Sequence, residues 1–269
     1  MIQTGARVRD ASISFAAVAA AALCVAFVLV AILGLVAHAS AASIVVELKN
    51  PVVLDALLLS LKTTAAAAAL IVVFGTPLAA LLSRPFHGRA VVETIVTLPA
   101  VLPPVVAGLA LLLAFGRLGL IGHLLGEGGI QIAFSSVAVV LAQTFVAAPF
   151  YVVAARSAFE RVDPELVDAA ASLGASPPYA FLRVVLPPAI PALVAGLALA
   201  WARALGEFGA TITFAGNLPG VTQTMPLAVY VEGQEDLQAA VAIALVLLAV
   251  SFCALLASRL LARTHEQNA

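Results

Sequence analysis

The chain alternates between long apolar runs and short polar segments. Runs without any charged residue lie at 11–46, 63–83, 94–116, 128–155, 184–202 and 237–258, and they are rich in Ala, Leu and Val. A helix that crosses a bilayer needs about 20 consecutive apolar residues. The pattern therefore predicts an all-α membrane protein with six spanning helices, near 14–37, 57–82, 95–115, 133–155, 187–208 and 238–260.

A seventh charge-free run, at 208–231, differs from the other six. It reads FGATITFAGNLPGVTQTMPLAVYV, and Gly216, Asn217, Pro219 and Gly220 interrupt it. Backbone groups without hydrogen-bond partners cost several kcal/mol each in lipid, so an interrupted segment does not span a membrane alone. We expect a loop here, partly re-entrant where the rest of the protein shields it.

Composition agrees with the membrane assignment. The chain is 63% hydrophobic and 10% charged, with a mean hydropathy of +1.14, whereas a soluble domain is about 25% charged. A net charge of −1 gives no basic surface for nucleic acid. Cys24 and Cys253 lie inside apolar runs, away from other metal-ligating residues, so we expect neither a disulfide framework nor a metal site.

The basic residues predict the orientation. With six spans and a cytoplasmic N-terminus, nine of the 13 Lys and Arg residues lie inside and four outside, as the positive-inside rule requires. We therefore expect a cytoplasmic N-terminus at 1–13, a membrane domain at 14–260, and a cytoplasmic tail at 261–269. A cleaved signal peptide ending near Ala39 is the alternative at the N-terminus, but the apolar run is longer than such peptides have.

The chain offers few groups that could drive transport or catalysis. No ionisable residue lies near the centre of spans one, three, four or six, and Lys62, Arg203 and Glu207 lie toward the outer ends of spans two and five. Ion-driven carriers usually place carboxylates within the membrane. The sequence also contains no phosphate-binding loop and no zinc-protease motif. We expect no catalytic site, so active transport would take its energy from another subunit.

The longest inner segment, 156–186, predicts a short surface helix. Asp163 is suited to the N-cap, Pro164 to the first helical position, and Glu165 to the positive end of the helix dipole. Gly174 is placed to end the helix. One face is apolar and mostly small, formed by Leu166, Ala169, Ala170 and Leu173. The residues alone allow either a plain connector or a surface that another protein approaches closely.

The same segment resembles the EAA loop of ABC-importer permeases, whose pattern is E-A-A-x3-G-x9-I-x-L-P. Here Asp168-Ala169-Ala170 is followed after three residues by Gly174, and after nine more by Val184-Val185-Leu186-Pro187. Asp replaces Glu and Val replaces Ile, with the spacing intact. The resemblance implies a coupling helix that docks into a cytoplasmic ATPase. It implies this role for Asp163, Glu165, Asp168, Ala169, Ala170, Gly174, Leu186 and Pro187.

Further segments resemble the molybdate permeases of that family. They are 60–64 (SLKTT), 75–79 (GTPLA), 102–108 (LPPVVAG), 142–145 (AQTF), 204–211 (ALGEFGAT), 214–217 (FAGN) and 222–227 (TQTMPL). Sulfate permeases are similar around Gly206-Glu207 and Gly216-Asn217 but usually differ in the Thr-Gln-Thr segment. A sulfate, thiosulfate or tungstate permease is therefore the alternative, and an ion-driven carrier or passive channel is the alternative from another class.

The resemblance implies a MetI-like fold in the plasma membrane, with both termini cytoplasmic. Two copies would form the pore, two cytoplasmic ATP-binding subunits would use ATP and Mg, and an extracytoplasmic molybdate-binding protein would deliver the ion. This chain would bind no cofactor itself and would work by alternating access.

Two sets of residues are candidates for the pore or gate. Arg203 and Glu207 are four residues apart, which suits either an internal salt bridge or an outer gate at which Arg203 meets the anion. Pro103, Pro104 and Gly108 either shape the pore or simply start a helix and allow close packing.

Overall fold

The computed structural model describes the backbone of residues 3–266 and the side chains of residues 15–257. Within this part of the chain the regular structure is entirely helical. The helices are α1 (Gln3–Ala37), α2 (Ala41–Glu47), α3 (Pro51–Leu82), α4 (Arg89–Val101), α5 (Pro104–Phe115), α6 (Gly122–Glu127), α7 (Ser136–Glu160), α8 (Pro164–Ser172), α9 (Pro177–Ala180), α10 (Leu186–Leu205), α11 (Gly209–Ala215), α12 (Met225–Glu235) and α13 (Leu237–Glu266), with a π-helical turn at Phe181–Val185 between α9 and α10.

Five described segments are long and apolar enough to cross a membrane. They are Phe15–Ala37, Pro51–Leu82, Ser136–Glu160, Pro177–Leu205 and Leu237–Ala257. The pair α4 and α5 also qualifies when taken together. The all-α membrane fold is thus confirmed, with six spans when this pair counts as one.

The prediction of one helix at 95–115 is wrong, because α4 and α5 meet at a bend of 116°. Leu102 and Pro103 both have extended backbone angles, with ψ of 138° and 133°. A proline disfavours the helical conformation in the residue before it, which explains Leu102. Pro104 then starts α5, where its missing N–H costs nothing.

Other helix ends also differ from the prediction. α1 begins at Gln3 rather than near 14, and α3 begins at Pro51, where the Asn50 side chain accepts a hydrogen bond from the Val52 N–H at 3.1 Å. Lys62 therefore lies about three turns into α3. Side chains of Arg7, Arg9, Arg259 and Arg263, which the charge count uses, lie outside the described residues, as do residues 267–269 of the predicted tail.

α7 lies at the centre of the packing. One apolar cluster joins it to α3 and α10, and a second joins it to α5 and α11. Small residues let these helices approach closely: a Cβ added to Gly196 would lie 2.6 Å from the Ala154 Cβ. α1 is peripheral, because no residue of its apolar window is buried.

The segment 208–231 is more helical than the predicted loop. It forms α11 and the first part of α12, separated by an irregular stretch. The Ser136 hydroxyl donates to the Val221 carbonyl at 2.8 Å, and the Met225 N–H donates to the Ser60 Oγ at 2.8 Å. The segment is thereby held between α7 and α3, and residues 222–225 and most of α11 are buried, whereas 218–221 is exposed. Irregular backbone at membrane depth is tolerated only with such shielding.

Candidate functional site

The predicted surface helix in the inner segment is confirmed as α8. The Asp163 Oδ1 accepts a hydrogen bond from the Glu165 N–H at 3.0 Å, and Pro164 takes the first helical position. Glu165 lies in the first turn, where a negative charge favours the helix dipole. Local capping therefore explains where α8 starts.

α8 ends in a Schellman motif. The Ala175 N–H donates to the Ala170 carbonyl at 3.0 Å, and the Gly174 N–H donates to the Ala171 carbonyl at 2.9 Å. Gly174 has a φ of +85°, and a Cβ added there would meet no atom within 4 Å. Glycine is required here by the backbone conformation rather than by crowding.

The apolar surface of α8 has no partner within the described residues. Leu166 is 54% exposed and Leu173 is 90% exposed, while Ala169 and Asp168 are also exposed. Beside them lies a shallow pocket lined by Ala170, Leu173, Gly174, Ala175, Ser176 and Tyr179. Such exposed leucines beside small residues are typical of a surface that another protein covers.

Leu186 and Pro187 do not lie in a loop. Pro177 starts α9, and the chain continues through the π-helical turn at Phe181–Val185 into α10, so this span begins about ten residues before the predicted start at 187. Pro187 lacks an N–H and clashes with the preceding turn of an α-helix. The wider π turn ends two residues before this proline and accommodates it.

An ionic network joins α4 to α7 at their inner ends. Arg89 contacts Glu160, Arg156 contacts Glu93, and the Arg156 Nε lies 3.6 Å from the Glu160 Oε1. Sequence reasoning counted the two arginines only as inner charges. The available signal was that both Arg89/Glu93 and Arg156/Glu160 are opposite charges four residues apart. Because α8 begins four residues after Glu160, this network joins α4 to the end of α7 from which the chain continues into α8.

Arg203 and Glu207 form the predicted ion pair, with the Arg203 Nη1 2.7 Å from the Glu207 Oε2. The Glu207 side chain is 1% exposed and that of Arg203 is 30% exposed. The second carboxylate oxygen, Oε1, accepts a hydrogen bond from the Ala210 N–H at 2.8 Å. Glu207 therefore lies in the turn between α10 and α11 and holds the start of α11 in place.

Pro103, Pro104 and Gly108 lie where α5 packs on α11. A Cβ added to Gly108 would lie 2.7 Å from the Thr213 Cβ and 2.8 Å from the Ala210 carbonyl oxygen. One added to Gly209 would lie 2.6 Å from the Pro104 Cβ. These residues thus act in helix initiation and close packing, next to the bend of the broken span.

Several buried polar side chains near α11 have no hydrogen-bond partner, and the sequence analysis named them only as parts of the segments that resemble molybdate permeases. The unpartnered atoms are Gln143 Oε1, Thr211 Oγ1, Asn217 Oδ1, Gln223 Oε1 and Thr224 Oγ1. No group of three or more His, Cys, Asp or Glu that could hold a metal ion lies in the part of the chain that the structure describes.

Comparison with protein families gives a match over residues 71–266 to the binding-protein-dependent transport system inner membrane component. The chain belongs to this family. It is therefore a multi-pass inner-membrane permease, the non-catalytic membrane component of an ABC transport system.

Two relatives are similar over most of the permease. It is 52% identical to the molybdenum transport system permease protein ModB of Mycobacterium bovis over 198 residues, which cover 73% of this chain and 75% of the relative. It is 40% identical to the probable sulfate transport system permease protein cysT of Nephroselmis olivacea over 209 residues, which cover 77% and 74%.

The fold also matches solved structures. The MetNI methionine ABC transporter in inward-facing conformations aligns with a TM-score of 0.65, covering 80% of this chain and 96% of that chain at 19% identity. At that identity the match concerns the fold alone, and it confirms the MetI-like architecture.

Proposed function

We propose that this permease is the membrane subunit that carries molybdate into the cell, driven by separate ATPase subunits. Coupling of the permease to an ATPase is supported by one observation above all. The apolar surface of α8 is exposed and has no partner among the described residues, and the Asp163 cap and the Gly174 turn fix the two ends of this helix. The identity of 52% to a molybdenum permease supports the substrate.

The proposed assembly contains two copies of the permease and two cytoplasmic ATP-binding subunits, with an extracytoplasmic molybdate-binding protein on the outer side. ATP and Mg belong to the ATPase subunits in this proposal. The exposed leucines of α8 and the adjacent pocket give each ATPase an apolar contact. Asp163, Glu165, Asp168, Ala169, Ala170 and Gly174 shape that contact, and Leu186 and Pro187 begin α10, the span that follows it.

Alternating access follows from how α8 is attached. α8 continues from α7 after a short turn, and the ionic network of Arg89, Glu93, Arg156 and Glu160 links α7 to α4. Movement of α8 when the ATPase subunits close would therefore reach the bend between α4 and α5 as a rigid-body shift. At the other end of the molecule, the Arg203–Glu207 pair would hold α11 as part of an outer gate.

The proposal places both termini and residues 156–186 in the cytoplasm, with one membrane domain at 14–260. The excess of basic residues on that side supports this orientation.

A sulfate permease of the same architecture is the second candidate, because the chain is also 40% identical to a probable sulfate permease. Thiosulfate and tungstate remain alternatives of the same kind. Membership of a binding-protein-dependent family removes the reason to consider an ion-driven carrier or a passive channel.

A competition assay of molybdate uptake distinguishes these substrates. Vesicles that contain the permease, its ATPase and its binding protein take up radiolabelled molybdate, and unlabelled molybdate, tungstate or sulfate competes. We expect molybdate and tungstate to suppress uptake far below the concentration at which sulfate does. Stronger competition by sulfate than by molybdate would favour the second candidate.

A further inference from the structure

The buried polar atoms without hydrogen-bond partners are concentrated in one part of the permease. Of the six such atoms among the described side chains, one is the Arg156 Nε of the inner ionic network. The other five belong to α7, α11 and the stretch between α11 and α12, namely to Gln143, Thr211, Asn217, Gln223 and Thr224. Thr211 and Thr224 are completely buried, and Gln143 is 1% exposed.

These residues come from neighbouring elements. Ala210 and Phe214 of α11 pack in one cluster with Ala142 of α7, which directly precedes Gln143. Gln223 and Thr224 directly precede Met225, whose N–H is bonded to Ser60 of α3. The unpartnered groups therefore belong to adjoining segments: α11 packs on α7, and the stretch after α11 is bonded to α7 at Val221 and to α3 at Met225.

Leaving such groups unpaired is costly. A buried polar group without a hydrogen-bond partner lowers the stability of the folded protein by about 1–3 kcal/mol. When a native protein has a buried polar group that no protein atom satisfies, a ligand or a bound water usually satisfies it. Other hydroxyls in the same membrane domain are satisfied locally: Thr64, which is also completely buried, donates to the Ser60 carbonyl at 2.7 Å. The arrangement around Thr211 is therefore not a general property of the polar residues in these helices.

The chemistry of the cluster suits an anion. Threonine hydroxyls donate hydrogen bonds. The unpartnered glutamine atoms are amide oxygens, and turning each amide over places its NH2 donor at the same position. The neighbouring carboxylate, Glu207, is already engaged by Arg203 and by the Ala210 N–H, so it is not free to attract a cation. A tetrahedral oxyanion offers acceptor oxygens in several directions, which matches a set of neutral donors.

We propose that Gln143, Thr211, Gln223 and Thr224 form a transient binding site for the tetrahedral oxyanion inside the permease. This inference rests on the proposed function, from which it takes its ligand. Because the donors carry no charge, they replace part of the hydration shell of the anion but bind it more weakly than a buried cationic side chain would. The site thus lets the ion pass and disfavours cations.

The test compares isosteric variants in proteoliposomes that contain the permease, its ATPase and its binding protein. Thr211→Val and Gln143→Leu remove the polar groups, and Thr64→Val is the control, since it removes a buried hydroxyl that is already paired. The readouts are radiolabelled molybdate imported and ATP hydrolysed. We expect Thr211→Val and Gln143→Leu to lower molybdate imported per ATP about tenfold, the effect of one hydrogen bond to a charged group, while Thr64→Val retains the wild-type ratio.

A second variant separates a binding role from a structural one. Thr211→Ser keeps the hydroxyl, so we expect it to restore most of the import that Thr211→Val loses. Wild-type import per ATP in Thr211→Val and Gln143→Leu would overturn the inference, and so would equal loss in Thr211→Ser and Thr211→Val. If the wild type carries sulfate but not molybdate, the substrate in the proposed function is wrong, and the same comparison is made with labelled sulfate.

Discussion

Gly174 has a left-handed backbone angle and open space around the position of a Cβ. Any effect of replacing it therefore comes from the backbone and not from a clash. A β-branched residue resists this conformation by about 1–2 kcal/mol, whereas Asn adopts it more readily.

We expect Gly174→Val to insert normally but to bind the ATPase subunits poorly, and Gly174→Asn to stay close to the wild type. Co-purification of the ATPase with each variant measures this difference. Equal retention of the ATPase by Gly174→Val and the wild type would mean that the end of α8 does not shape the contact.

Glu207 is buried, and its two oxygens serve different partners, Arg203 and the Ala210 N–H. Glu207→Gln keeps an oxygen for Ala210 but leaves Arg203 without its counter-charge. Breaking a fully buried ion pair costs roughly 3–5 kcal/mol, and less where the remaining charge is partly exposed, as Arg203 is. We therefore expect moderately less folded Glu207→Gln protein in the membrane.

The double variant Arg203→Gln/Glu207→Gln is the matched control for that prediction, since it leaves no unpaired charge. It should recover part of the folded amount, measured by fluorescence-detected gel filtration. A normal amount of folded Glu207→Gln with altered uptake would instead assign the pair to the gate, and normal values of both would discard both roles.

At the scale of the elements, α5 and α11 are held together by close contact of small residues. Gly108 leaves no room for a side chain, because Thr213 and Ala210 already occupy the space. Overpacking of this kind costs about 1–3 kcal/mol or more.

We expect Gly108→Val to lower the thermal midpoint of the purified permease clearly. Gly34→Val is the control, because a Cβ at Gly34 of α1 meets no atom within 4 Å. A thermal scan in detergent compares the two variants. Equal midpoints would show that α5 and α11 do not pack as closely as the structure has them.

The elements that the sequence predicts well are those whose signals are local. α8 is predicted because its cap, first-turn proline and terminal glycine all lie within twelve residues of one another. The bend after Val101 is not predicted, although Pro103 and Pro104 are visible in the sequence. A proline pair can start a new helix at a sharp bend or lie within one nearly straight span, and the sequence pattern is the same in both cases. Hydropathy locates the apolar segment but does not show that its two helices point in different directions.

Contacts between distant segments were not predictable in the same way. The ionic network depends on α4 lying beside α7, and the unpartnered groups around Thr211 depend on how α11 fits between helices. Charge spacing and the polar residues of 208–231 were visible in the sequence, but neither says which residues meet. The Arg203–Glu207 pair was predictable because its partners are four residues apart.

At the scale of the whole molecule, the proposed orientation places α8 in the cytoplasm and the stretch between α5 and α6 outside. Leu173 and Leu118 are strongly exposed and suit a test, at 90% and 98%. In a variant without Cys24 and Cys253, we expect Leu118→Cys to label from outside and Leu173→Cys only from the cytoplasmic side. Labelling of both from one side would contradict the six-span topology.

The most direct measurement of the central claim is ATP-driven uptake of molybdate by purified components. The permease is reconstituted with its ATPase and binding protein, as the wild type and as Leu173→Glu. This substitution adds a charge to the exposed surface of α8 without touching the interior, and Leu118→Glu is the control on the opposite side. We expect uptake by the wild type and retained ATPase binding by Leu118→Glu, while Leu173→Glu inserts normally but loses both ATPase binding and uptake. Molybdate accumulation without ATP or the ATPase subunits, or full uptake by Leu173→Glu, would contradict the account.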